Sequence, residues 1–189
     1  MSTAAGRPVW SAEYPVASAA ETQALAKRIG AQLRAGDLLV LTGELGAGKT
    51  TFTQGLGEGL GVRPGIISPT FVLMREHPSL GQGPDLVHVD AYRLQSDAEI
   101  DDIDLENTQD SSVTVVEWGR GRVEHLADSW LDISLHRSTG TGPAADPSAA
   151  DTASRSTAVV LDFGEPDETE DRLISIAAYG PRWASHGPF

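Results

Sequence analysis

The chain has 189 residues, 40% of them hydrophobic, with a formal net charge of −13; that length suits one domain with a real core, and so acidic a balance argues against direct, unaided binding to nucleic acid, which wants a basic face. It contains no cysteine, which excludes disulfides and thiolate metal sites and fits a reducing, cytoplasmic setting. Met1 to Arg7 carries no apolar signal core, and no run approaches the ~20 apolar residues of a membrane span.

In chain order, residues 1–7 read as a disordered tail and 9–16 as a short edge strand. Ser18-Ala19-Ala20-Glu21 is a capping box, and Leu25, Ile29 and Leu33 follow at helical spacing, with Gly36 closing that helix. Residues 37–42 read as a buried strand. The helix over 51–60 is odd, because Gly55, Gly57 and Gly59 interrupt it, each at about 0.5–1 kcal/mol relative to alanine. Only packing can hold such a helix, and Gly61 ends it. Residues 66–73 read as a loop leading into a strand. Residues 86–89 form a strand ending at Asp90, 98–105 an acidic helix, 113–116 a strand ending at Glu117, and 121–126 a brief helix. Residues 130–136 alternate as a strand. Residues 157–163 are expected as its hairpin partner, and 167–178 as a helix capped near Gly180. Between them, 137–156 is rich in Ser, Thr, Gly, Pro, Ala and Asp and reads as a flexible hairpin insertion within a single domain. The expected fold is α/β: a P-loop-type, mainly parallel sheet covered on both faces, with an antiparallel hairpin late in the chain.

The chemistry starts at Gly43-Glu44-Leu45-Gly46-Ala47-Gly48-Lys49-Thr50, which matches G-x-x-x-x-G-K-[ST]. Leu38-Leu39-Val40-Leu41 precedes it and a helical run follows it. In that setting backbone N–H groups wrap the β- and γ-phosphates, aided by the helix dipole. Lys49 reaches the β/γ-phosphates and the Thr50 hydroxyl ligates Mg²⁺. Such a loop needs carboxylates, usually at the C-terminal ends of neighbouring parallel strands. Val87-His88-Val89-Asp90 and Val113-Thr114-Val115-Val116-Glu117 are apolar runs ending in an acid. Asp90 is a candidate base or water-positioning group, and Glu117 a candidate metal-side carboxylate, acting directly or through water. For each the alternative is an acid capping a strand in solvent, and His88 alone is more often a packed histidine. Trp118 belongs either at the rim, stacked on an adenine, or in the core.

With Ser68-Pro69-Thr70-Phe71, His88-Val89-Asp90-Ala91-Tyr92-Arg93-Leu94 and Val116-Glu117-Trp118-Gly119 added, the chain resembles the TsaE (YjeE-type) ATPases of bacterial tRNA threonylcarbamoyladenosine synthesis. The likeness covers roughly residues 18–136. It implies a small P-loop α/β domain that binds ATP and hydrolyses it slowly with Mg²⁺. It also implies two partner proteins, TsaB and TsaD, acting on the adenosine beside the tRNA anticodon, with tRNA reached only through that complex. In the family pattern Asp90, Lys49 and Thr70 are catalytic, and Thr50 and Glu117 hold the metal. Residues 43–51, with Thr51 last, bind the phosphates, and Trp118 meets the base. Ser68 and Thr70 match a loop that responds to the nucleotide. Two departures stand out: the 137–156 insertion, and Gly119-Arg120-Gly121-Arg122 where an acid is common. Competing readings are a nucleotide-dependent assembly module without essential hydrolysis, and a small-molecule kinase. The kinase would need a lid with arginines to clamp a phosphoryl group, whereas the arginines near the motifs are Arg75, Arg93, Arg120 and Arg122 and no basic segment has the length of a lid.

Overall fold

The computed structural model describes residues 6–69, 72–94, 105–108, 110–137 and 171–189. Among these, seven strands form one sheet: β1 (Trp10–Val16), β2 (Leu38–Gly43), β3 (Met74–His77), β4 (Asp85–Asp90), β5 (Ser112–Glu117), β6 (Trp130–Arg137) and β7 (Arg172–Tyr179), in the order β1-β7-β6-β2-β5-β4-β3. The four central strands, β6, β2, β5 and β4, are parallel. At the flanks β7, β1 and β3 join antiparallel. Central strands buried on both faces need near-continuous apolar runs; Leu38–Leu41 is one, and Val113–Val116 is another interrupted by the buried Thr114. The C-terminal ends of all four parallel strands meet at one edge of the sheet.

Helices α1 (Ala19–Gly30) and α2 (Lys49–Leu60) cover one face. There Leu25, Ile29, Phe52 and Leu56 pack with Leu39, Leu41, Val115 and Ile133. On the other face Leu38, Val40, Val87 and Val89 meet Ala91, Leu94, Leu105 and Val123. Among the described residues that second layer is built from 3₁₀ turns and loops, not α-helix. Ser18 caps α1: its Oγ accepts from Glu21 N at 3.1 Å, while Glu21 Oε2 reaches one residue further back and accepts from Ala17 N at 2.8 Å.

The interrupting glycines have a structural purpose. A Cβ on Gly55 would stand 2.4 Å from Gln23 O, one on Gly59 2.2 Å from Lys27 O, and one on Gly30 2.4 Å from Leu56 O. The two helices touch backbone to backbone, and only glycine permits that approach. The closing residue Gly61 takes φ 75°, and Val62 N donates to Gly57 O at 3.1 Å, so α2 ends in a left-handed cap.

Several expectations are corrected. Helix α1 stops at Gly30, because residues 31–36 make their own turn: Asp37 Oδ2 accepts from Arg34 N at 2.9 Å, and Gly36 turns at φ 88°. The helix expected over 167–178 is instead a strand over its described part. Arg172, Ile174, Ile176 and Ala178 are buried and alternate with half-buried neighbours, a period of two rather than 3.6. β7 also takes the place assigned to 157–163, since it pairs with β6 through Leu131↔Ala178, Ile133↔Ile176 and Leu135↔Ile174. With β2 on its other side, β6 has no free edge. The brief helix over 121–126 shrinks to a 3₁₀ turn, Glu124–Leu126, and Leu105 starts a 3₁₀ turn rather than ending a helix. Residues 157–163, the insertion beyond Arg137, and most of the acidic 98–105 segment lie outside the described residues. No helix among the described residues is long and apolar enough to cross a membrane.

Candidate active site

Strand β2 delivers Gly43 to the shared edge, and the loop turns straight into α2. Gly46 and Gly48 adopt φ 78° and 97°, angles open to glycine and strained for other residues. A Cβ on Gly43 would fall 2.8 Å from Leu135 O of β6. The loop crown stays open, and Leu45 is 90% exposed.

Lys49 begins α2 and folds back over the loop, donating through Nζ to Gly43 O at 2.8 Å and Glu44 O at 3.0 Å. It is buried, which lowers its pKa from the usual 10.5, while the carboxylates of Glu117 and Asp90 pull the other way. A polyphosphate in the loop would supply opposite charge next to this desolvated ammonium. Thr50 follows it, half-buried.

Parallel pairing of β4 with β5 sets Asp90 opposite Glu117, and β2 sets Leu41 opposite Glu117. Both acids are buried. Asp90 Oδ1 accepts from Tyr92 N at 3.0 Å, starting the turn Ala91–Arg93. Glu117 Oε1 lies 2.8 Å from His88 Nε2. Two adjacent buried carboxylates repel each other unless a cation stands between or beside them. Glu117 and the Thr50 hydroxyl are oxygen donors, which would fit a hard ion such as Mg²⁺. Among the described residues, no group of three or more His, Asp or Glu side chains could hold a metal by itself.

Trp118 sits at the rim, half-buried, with φ 62° and its N–H donating to Leu41 O at 3.0 Å. Its ring lies 4.3 Å from Lys49 Nζ and 5.4 Å from the Tyr92 ring. The indole thus stacks on the ammonium and not in the core. A phosphate that drew Lys49 away would disturb this contact. We therefore expect ATP to change the tryptophan fluorescence, and Trp118→Phe to remove most of that change although Trp10, Trp130 and Trp183 remain; an unaltered response in the variant would sink the idea.

Sequence reasoning missed two residues. Arg137 ends β6 and donates from Nη2 to Gly46 O at 3.1 Å. Its register partner on β7 is the buried Arg172, whose Nε lies 3.8 Å from where a Gly48 Cβ would stand. Two guanidinium groups therefore flank the loop. The signal available was position: Arg137 closes a strand parallel to β2. Of the other arginines near the motifs, Arg120 is engaged by Asp132 and Ser134, and Arg122 donates to Ala91 O at 3.2 Å and Leu94 O at 2.7 Å. The two arginines of the Gly119–Arg122 departure thus tie that segment to β6 and to the turn after β4. Ser68 is described, whereas Thr70 lies outside the described residues. A cavity of about 700 Å³ is found elsewhere, at the far end of α2, lined by Gln54, Gly57, Val62, Pro64, Ile66 and Leu80. Its wall is mostly apolar, with Gln23, Gln54 and Arg63 as the polar donors around it.

The family model described as "Threonylcarbamoyl adenosine biosynthesis protein TsaE" matches residues 16–143. The chain belongs to the TsaE family. A Streptomyces coelicolor protein named tRNA threonylcarbamoyladenosine biosynthesis protein TsaE is 48% identical over 162 residues, covering 85% of this chain and 93% of the relative. Its Mycobacterium leprae namesake is 45% identical, covering 67% and 87%, and that of Bacillus subtilis 42%, covering 62% and 72%. The crystal structure of Bacillus subtilis YdiB superposes with a TM-score of 0.61 at 29% identity, covering 92% of this chain and 89% of that one. The fold is P-loop NTPase-like. The TsaE match includes β2, α2, β4, β5 and β6, and so every motif around the loop, but ends before β7.

Proposed function

We propose that this TsaE-family chain is a Mg²⁺-dependent ATP hydrolase serving the threonylcarbamoyl modification of the adenosine beside the tRNA anticodon, acting in the cytoplasm with a TsaB–TsaD complex. The observation that carries the reading is the meeting of Lys49, Asp90 and Glu117 at the end of the sheet where β2 turns into α2. The names of the relatives support the pathway. The charge of −13 favours reaching tRNA through partner proteins rather than directly.

In this reading the loop N–H groups and Lys49 bind the phosphates, and the helix start faces their charge. Thr50 and Glu117 would hold Mg²⁺, which neutralises charge on the β/γ-phosphates when bound. Asp90 orients the attacking water and accepts its proton. Trp118 and Tyr92 wall the rim, with Trp118 free to meet the base once Lys49 has turned to phosphate. Thr70 remains assigned to the catalytic set by family likeness alone.

The test is ATP hydrolysis by the full chain with and without a TsaB–TsaD complex. Stimulation is expected. If small-molecule acceptors stimulate turnover instead, the chain is a kinase. If modified tRNA accumulates over many turnovers with a non-hydrolysable ATP analogue, the chain is an assembly module. Glu117→Ala should lower Mg²⁺-dependent hydrolysis by about 10–100-fold while metal-free ATP binding stays nearly constant; equal losses in both would remove Glu117 from the metal side.

A further inference from the structure

We propose that His88 is a positioning residue that holds Glu117 in its metal-facing orientation. His88 is fully buried in β4, and its Nε2 lies 2.8 Å from Glu117 Oε1, itself on a side chain only 4% exposed. Register explains the reach. Asp90 pairs with Glu117 and His88 with Val115, so His88, Asp90 and Glu117 project from one face of the sheet. The imidazole lies one step toward the start of the strands and spans to the glutamate diagonally.

An ionised carboxylate only accepts hydrogen bonds, so the Nε2–H must donate. That bond occupies Oε1 and leaves Oε2 for other partners. A glutamate has three rotatable side-chain bonds, and next to the Asp90 carboxylate it is repelled toward other rotamers. The fixed imidazole, packed inside the sheet, removes that freedom before any ligand arrives. Groups that orient a metal-side carboxylate in this way typically change metal affinity by 10–100-fold when lost. The inference rests on the reading of Glu117 as the metal-side acid.

The experiment measures ATP affinity by calorimetry for the full chain, first in EDTA and then across a Mg²⁺ titration. Hydrolysis is followed over the same titration. His88→Gln places an amide N–H at about the reach of Nε2. His88→Met fills similar volume without a donor. Metal-free ATP affinity should stay within about twofold in all three proteins, whereas half-saturating Mg²⁺ should rise about tenfold or more in His88→Met and stay near wild type in His88→Gln. Hydrolysis at saturating Mg²⁺ should recover in His88→Met more than its Mg²⁺ requirement does. Should His88→Met not fold, His88→Asn replaces it, since its shorter amide cannot reach Oε1. Equal shifts in the Gln variant and the donor-lacking variant would mean that packing matters and the hydrogen bond does not, which overturns the proposal. So would an unchanged Mg²⁺ requirement in both. If wild type shows no gain in ATP affinity on adding Mg²⁺, the metal reading of Glu117 fails, and the proposal with it.

Discussion

Lys49→Ala should abolish tight ATP binding. The ammonium donates to two loop carbonyls, and Asp90 and Glu117 are the carboxylates that act on it most strongly. Removing it deletes the one flexible cation inside the loop and leaves both buried acids to repel the phosphates. Loss of one partner of a buried charged pair typically costs 2–5 kcal/mol, so affinity should fall by roughly a hundredfold or more. Calorimetry with ATP measures it, and circular dichroism checks that the fold survives. An unchanged affinity would remove the nucleotide site from this loop altogether. The same variant should also lose the fluorescence response, because Trp118 then has no ammonium to release.

Gly59→Ala should destabilise the fold, although helix propensity alone says the reverse. In an isolated helix the change is favourable by up to ~1 kcal/mol. Here the new methyl would lie 2.2 Å from Lys27 O, 2.8 Å from Ala31 N and 3.0 Å from Gly30 Cα. All three are backbone atoms, so no rotamer change relieves the clash. Helix α1 has to move off α2, loosening Ile29 and Leu56, which are fully buried. Overpacking of this kind costs about 1–3 kcal/mol and sometimes more, and the melting midpoint should drop by roughly 2–4 °C for each of those kcal/mol. Gly57→Ala is the comparison, because its methyl meets the tip of the Ile66 side chain at 2.3 Å rather than backbone, and it should lose less. A midpoint that rises in Gly59→Ala would show that α1 and α2 do not touch as described.

Much of the site was legible because its signals are local. A phosphate loop is one short segment whose glycines, lysine and threonine must be contiguous, and Asp90 and Glu117 each close an apolar run that announces its own strand. The errors fell where identity depends on distant partners. Residues 167–178 hold enough alanine, leucine and early acid to pass for a helix. Ile174, Ile176 and Ala178 form a strand because β6 and β1 stand on either side to pair with them. Gly55 and Gly59 weaken α2 as an isolated helix, and only α1 lying against them explains their presence.

The phosphate loop, the two acid-ended strands and the motifs shared with the TsaE family are each encoded in contiguous residues, and the alternation of strands with helices already implied the parallel core of the sheet. Only the tertiary structure decided that His88 bonds to Glu117, that Lys49 rests on Trp118, and that Arg137 and Arg172 flank the loop. The His88–Glu117 and Arg137–Gly46 hydrogen bonds join residues 29 and 91 positions apart. They exist because parallel pairing gathers the ends of β2, β4, β5 and β6 at one edge, and strand order is a property of the assembled sheet rather than of any one segment.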